Sequence, residues 1–197
     1  MGSIVVDDNL LQIIDCLSKK LNKKRFCHSI GVMDTAACLA MKYGYDINKA
    51  KYAGILHDCA KSLSSEKLLD KSRKYSLELS EIEKENPDLL HAKIGKFLAK
   101  EDYKITDEEI LDAIFYHTTG RPGMNILEKI IFVSDYIEPN RTKDIPGIKE
   151  IRAMAFENID KCVVMICCNS LGYLKEKGAL IDKITEETYL YYIDNLK

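Results

Sequence analysis

Ala53-Gly54-Ile55-Leu56-His57-Asp58-Cys59-Ala60-Lys61 is an apolar run that ends on an imidazole and a carboxylate side by side. Whether it is a strand or a helix decides how the chain is read. In a strand, neighbouring side chains point to opposite faces, and His57 and Asp58 could not meet at one point. On a helix they project ~100° apart, and a long imidazole and a short carboxylate can converge on one ion. Imidazole nitrogen with carboxylate oxygen suits iron, manganese or zinc. Lys61 lies four residues after His57 and three after Asp58, so on a helix it shares their face. A lysine there adds positive charge beside a cation, which makes structural sense when an anion sits between them.

Helical periodicity continues on both sides. Leu10, Leu11, Ile13, Ile14 and Leu17 form an apolar stripe that Asp7 or Asp8 can cap. A second helix is predicted from about Lys24 to Tyr43, stopped by Gly44, and Asp46 can cap a third. Ser64 or Ser65 opens a fourth, and Pro87 suits the first turn of another that runs through Leu98. Thr106-Asp107-Glu108-Glu109 reads as a capping box. Ile126 to Ile137 reads as a buried helix, although Ile130-Ile131-Phe132-Val133 alone could pass for a strand. Two or three helices follow Pro146, broken at Gly178. The expected fold is all-α, a single domain spanning residues 1–197.

Charge and composition narrow the function. The net charge is -2 with both signs interspersed, which marks no nucleic-acid surface. The one basic run, Lys19 to Arg25, reads as a solvated helix end. No apolar stretch reaches the ~18 residues of a membrane span, and Met1 to Asp8 is too short and acidic for a signal peptide. Seven cysteines without a Cys-x-x-Cys pair suggest buried free thiols in a reducing cytoplasm. The phosphate-loop pattern Gly-x-x-x-x-Gly-Lys-Ser/Thr does not occur, which argues against kinase chemistry.

The chain holds four histidines, at 28, 57, 91 and 117, each on or at the end of an otherwise apolar predicted helix. A lone histidine on such a helix is ordinarily a hydrogen-bonded core residue, so their combination carries the weight. The order His28, His57-Asp58, His91, His117, Asp135 is similar to the ligand set of HD-domain phosphohydrolases. Gly54-x-Leu56-His57-Asp58-x-Ala60-Lys61, His117-Thr118-Thr119-Gly120 and Asp135-Tyr136-Ile137-Glu138-Pro139-Asn140-Arg141 look like signatures of the bacterial YqeK-type branch. The resemblance covers nearly the whole chain. It implies symmetrical hydrolysis of diadenosine tetraphosphate to two ADP, using one or two iron ions, with manganese or another divalent metal as alternatives.

By that resemblance His28, His57, Asp58 and Asp135 bind the primary metal. His91 and His117 either hold a second metal or contact substrate phosphate. Asp58 orients or deprotonates the attacking water, and Lys61 acts with it in catalysis. Arg25, three residues before His28, and Arg141 are phosphate-binding candidates, against a plain surface role for Arg25. Thr118 and Thr119 offer hydroxyls at a helix end. Lys177-Gly178-Ala179-Leu180-Ile181 either covers the adenine face or forms a helix–helix turn. Rival readings are another HD-type nucleotide phosphohydrolase, a nucleotide-binding sensor and a di-iron oxygenase. A cyclic dinucleotide phosphodiesterase is disfavoured, since Tyr43-Gly44-Tyr45-Asp46 lacks the Gly-Tyr-Pro of that family. The expected partner is a nucleotide, in the cytoplasm, with no membrane or nucleic acid; a homodimer is compatible with the reading.

Overall fold

Asp7 accepts a hydrogen bond from the Leu10 amide and starts α1 (Asp8–Lys20), whose Leu10, Ile13 and Leu17 are buried, while Leu11 of the expected stripe faces out and is 52% exposed. The computed structural model describes residues 7–141 and 145–196; the first six residues, on which the reading of the N-terminus rests, lie outside that range. Asn22 caps α2 (Lys23–Tyr43), which stops at Gly44 with φ 65°, a conformation open to glycine. Asp46 caps α3 (Ile47–Leu56) and Ser64 caps α4 (Ser65–Lys74). Short α5 (Glu81–Glu85) leads into a 3-10 turn at Pro87–Leu90, then α6 (His91–Glu101). Next come α7 (Glu108–Tyr116) and α8 (Ile126–Ile137). The tail forms α9 (Ile148–Glu157), α10 (Ile159–Glu176) and α11 (Lys183–Asp194). No strand occurs among the described residues.

The longest helix, α2, packs along α3 and α8, while α7 bridges α6 to α8 and α10 covers α8, α9 and α11. Leu39, Ile55, Leu56, Ile94, Leu111, Ile114, Ile130 and Ile131 are fully buried where these elements meet. Gly54 sets the closest approach: a Cβ there would lie 2.8 Å from the Met33 Cα and 3.1 Å from the Met33 amide nitrogen. With no side chain at Gly54, α3 lies backbone to backbone on α2, which brings His57 near His28.

Several expectations are corrected. The helix carrying the His57-Asp58 pair ends at Leu56; His57 caps it, and Asp58 to Lys61 follow in tight turns with Cys59 N–Leu56 O and Lys61 N–Asp58 O bonds. The Thr106 capping box is absent; the Asp107 carboxylate caps α7 through the Glu109 and Ile110 amides. A capping box does form at α8, between Asn125 and Glu128. The helix predicted from Pro87 is divided, with the 3-10 turn before His91. Only Cys59, Cys162 and Cys167 are buried, whereas Cys27, Cys38 and Cys168 are exposed.

Candidate metal centre and cleft

Four helix ends and one helix body deliver the histidines and acids to one place. His28 comes from α2, His57 from the end of α3, His91 from the start of α6 and His117 from the end of α7. Asp135 comes from the last turn of α8. Three imidazoles donate Nδ1–H to the carbonyl three residues back: His57 to Gly54 at 2.7 Å, His91 to Asp88 at 2.6 Å and His117 to Ile114 at 2.7 Å. His28 differs, since its Nδ1 lies 3.0 Å from the Glu138 Oε1. An oxygen acceptor at Nδ1 holds the proton there, so a neutral ring has Nε2 free to offer a lone pair to a metal.

Those lone pairs gather around two carboxylates. The Asp135 Oδ1 lies 2.9 Å from the His28 Nε2 and 3.6 Å from the His57 Nε2. Asp58 faces both ways: its Oδ2 lies 3.8 Å from the His57 Nε2, and its Oδ1 lies 3.3 and 3.6 Å from the Nε2 atoms of His91 and His117. Two overlapping groups could therefore hold a cation, His28-His57-Asp58 and Asp58-His91-His117. The His57 Nε2 is buried and, among the described residues, has no hydrogen-bond partner. Such an orphan costs free energy unless a ligand satisfies it, and a divalent metal fits the donors around it.

The electrostatics agree. Burial would raise the Asp58 carboxyl, but His57, His117 and His91 outweigh it and hold it well below the usual carboxylate range. Burial likewise opposes ionisation of Asp135, and His28, His57 and Arg141 overcome it, holding it well below as well. Burial acts to lower His28, but Asp135 and Glu138 raise it. Burial lowers His117. The histidines favour the charged carboxylates only with a proton or other positive charge between Nε2 and oxygen, the place a bound cation would take.

The centre opens into a cleft of about 640 Å³ lined by Lys24, Arg25, Lys61 and Arg141 beside the acids. The Lys61 Nζ sits 3.1 Å from both ring nitrogens of His91 and has no carboxylate partner among the described residues. The Arg25 Nη1 donates to the Lys61 carbonyl at 2.6 Å. Arg141 is committed differently: its Nε donates to the Asp135 carbonyl at 2.6 Å and its Nη2 to the Asp135 Oδ1 at 2.7 Å. Lys24 belongs to the basic run read as solvated; it is exposed, yet it lines the cleft.

Thr118 lines this cleft and also an apolar pocket of about 260 Å³. Phe115, Tyr116, Leu89, Leu174, Ile184 and Thr119 are among its walls. Of the five residues from Lys177 to Ile181, only Leu180 reaches it; Lys177, Gly178 and Ala179 are exposed at the end of α10. Sequence marks Phe115 only as part of an apolar helix stripe and gives Tyr116 no role, because residues beside a histidine on an apolar helix look like ordinary core. Glu138 was also missed, although it lies within a quoted motif.

Comparison with known proteins follows the same lines. The HD domain model matches residues 25–140. A symmetrical bis(5'-nucleosyl)-tetraphosphatase of Bacillus subtilis is 37% identical, over 93% of this chain and 96% of its own length. Proteins of the same name from Halalkalibacterium halodurans and Staphylococcus aureus are 40% and 38% identical, over 86% and 88% of this chain and 89% of each relative. A crystal structure from Clostridium acetobutylicum, described as a predicted HD superfamily hydrolase involved in NAD metabolism, is similar with a TM-score of 0.89. It is 40% identical and covers 98% of this chain and 100% of its own.

Proposed function

The chain belongs to the HD-domain family, and on that footing we propose that its His–Asp centre splits a dinucleoside tetraphosphate between the two nucleoside diphosphate halves. It is a metal-dependent hydrolase, a symmetrical bis(5'-nucleosyl)-tetraphosphatase acting on diadenosine tetraphosphate and releasing two ADP. The observation that carries the reading is that Thr118 lines both the cleft with cationic side chains beside the centre and the apolar pocket of about 260 Å³.

In this reading His28, His57, Asp58 and Asp135 hold the metal, with iron as the proposed ion and manganese as the alternative. A bound divalent metal supplies a Lewis acid that acidifies water and neutralises phosphate charge. The low carboxyl pKa of Asp58 suits it to orient the attacking water rather than to store its proton. Lys61 and Arg25 grip the phosphoryl oxygens, and Arg141 holds Asp135 while leaving Nη1 for phosphate. His91, His117, Thr118 and Thr119 meet the phosphates and ribose, and the base enters among Phe115, Tyr116 and Leu180. We take residues 1–197 as one domain acting in the cytoplasm on nucleotides, with neither nucleic acid nor membrane as partner. No described helix is long and apolar enough to cross a membrane.

A second reading of His91 and His117 has its own support. Their Nε2 lone pairs lie 3.3 Å apart and both face the Asp58 Oδ1, an arrangement of three acceptors that a second cation would relieve. Metal stoichiometry separates the two roles: one ion per chain favours phosphate contact, two favour the dinuclear centre.

Hydrolysis in heavy-oxygen water tests the reaction. Half of the ADP molecules should carry one label, with no AMP or ATP formed. AMP plus ATP would move the attack to another phosphorus and reject this arrangement of the cleft.

A further inference from the structure

Glu138 is fully buried at the end of α8, three residues after Asp135, and its two carboxylate oxygens do different things. Oε1 accepts from the His28 Nδ1 at 3.0 Å. Oε2 accepts from the Asn140 backbone amide at 2.6 Å. Its backbone is held too, because Arg152 of α9 donates to the carbonyls of Ile137 and Glu138 at 2.9 and 3.1 Å. On the facing helix α2, Gly31 leaves room for this carboxylate. A Cβ at Gly31 would overlap the Glu138 Oε2 and come within 2.9 Å of the Asn140 Nδ2.

We infer that Glu138 is the positioning residue of the metal centre, fixing the tautomer and direction of His28 from a seat that Gly31 keeps open. The inference rests on the reading of His28 as a metal ligand. The other three histidines use a backbone carbonyl for this purpose, which no side-chain substitution removes. His28 lies in the interior of α2, where the carbonyls behind it are committed to the helix, so a side chain from another element must serve. A carboxylate is the strong form of that partner: it makes the imidazole a better donor and locks its orientation.

The geometry explains why a neutral isostere cannot substitute. The Asn140 amide is a donor, so glutamine at 138 keeps that bond only by turning its carbonyl oxygen there. Its NH2 group then faces the His28 Nδ1, which must become an acceptor. That moves the imidazole proton to Nε2, the atom that faces Asp135 and has to bind metal. The opposite rotamer keeps the His28 contact and sets two donors against each other at Asn140.

Mn2+ binding, read from the electron-paramagnetic signal of the free ion, tests this without recourse to turnover. Glu138→Gln should weaken Mn2+ binding by about 10- to 100-fold, the scale for losing such an outer partner. Gly31→Ala keeps the charge and displaces the carboxylate, and should weaken binding in the same direction. Affinity is read well below the melting temperature of each metal-free variant, so that lost stability is separated from lost binding. Unchanged Mn2+ affinity in both variants, or a lower metal-free melting temperature as the sole effect, would overturn the positioning role. His28→Ala is the control for the underlying reading. If it binds Mn2+ like the parent, or if the parent binds none, the metal assignment fails, and the inference fails with it. If His28→Ala loses the ion and the other two do not, only the inference fails.

Discussion

Lys61→Met removes an ammonium that sits against the His91 ring and, among the described residues, has no acid to neutralise it. The Lys61 Nζ lies 3.1 Å from each ring nitrogen of His91, on the wall of the cleft, and no carboxylate pairs with it among the described residues. Methionine keeps most of the stem's volume and removes the charge. A phosphoryl oxygen about 4 Å from that charge, at an effective dielectric near 20, interacts by roughly 4 kcal/mol. That is a ceiling, because part of the attraction is already present in the bound substrate and does not accelerate the step. Removing one oxyanion-stabilising group costs ~10²–10³ in kcat, and a value inside that range is expected here. Lys61 has no lone pair while protonated and is not a ligand, so the metal should stay. The assay is release of ADP from diadenosine tetraphosphate under saturating substrate, with metal content measured on the same sample. Turnover within threefold of the parent would mean that the side chain serves only the surface. Loss of metal along with rate would mean that it supports the centre, and would refute its assignment to phosphate.

Arg141→Met should behave differently, because two of its nitrogens are spent on Asp135. Both metal affinity and rate should fall, and a variant that keeps full metal affinity but loses rate would return Arg141 to a pure phosphate role. Leu180→Glu alters an exposed wall of the apolar pocket without touching the core. Losing a leucine contact worth ~1.5–3 kcal/mol should weaken ADP binding by about 10- to 100-fold at constant metal content, measured by calorimetry; equal affinity would remove the base from this pocket. Gly54→Ala forces α2 and α3 apart, since the new Cβ meets the Met33 backbone at 2.8 Å, which cannot rotate away. Overpacking of this kind costs ~1–3 kcal/mol. At ~2–4 °C per kcal/mol for a chain this size, the melting temperature should drop by about 2–12 °C; an unchanged melting curve would mean that the helices separate freely.

Local signals carried the helices well and the site partly. The bounds of α2 were legible because Gly44 can end a helix where few other residues can, and α8 was legible as a helix once its length was counted against the four-residue strand alternative. The end of α3 was not legible. His57 keeps helical angles, φ -52° and ψ -39°, so nothing in composition marks the change from i+4 to i+3 bonding. Lys61 nevertheless reaches the cleft, because the turns carry it to the same side by another route. Thr106 lost the capping role to Asp107, whose carboxylate reaches two amides of the first turn. The apolar pocket draws walls from α5, α6, α7, α10 and α11, and no window of sequence contains that coincidence.

Asp58 explains why a His-Asp pair, rather than two well-separated ligands, lies at the heart of this centre. Its two oxygens face opposite groups, Oδ2 toward His57 and Oδ1 toward His91 and His117. A residue inside a regular helix would present its carboxylate to one side, along the face it shares with its neighbours a turn away. The tight turns after Leu56 free Asp58 from that constraint and lay it between the α2–α8 side and the α6–α7 side. Adjacency to His57 fixes one end of the carboxylate, and the two later histidines fix the other. The same carboxylate thus links whatever cation occupies the first group to whatever positive charge, ion or proton, reconciles the lone pairs of the second. One position serving both groups also accounts for the depth of its burial: with 8% of its surface exposed, the carboxylate is favoured as an anion by the positive charge it shares with the three imidazoles, where an isolated one would protonate.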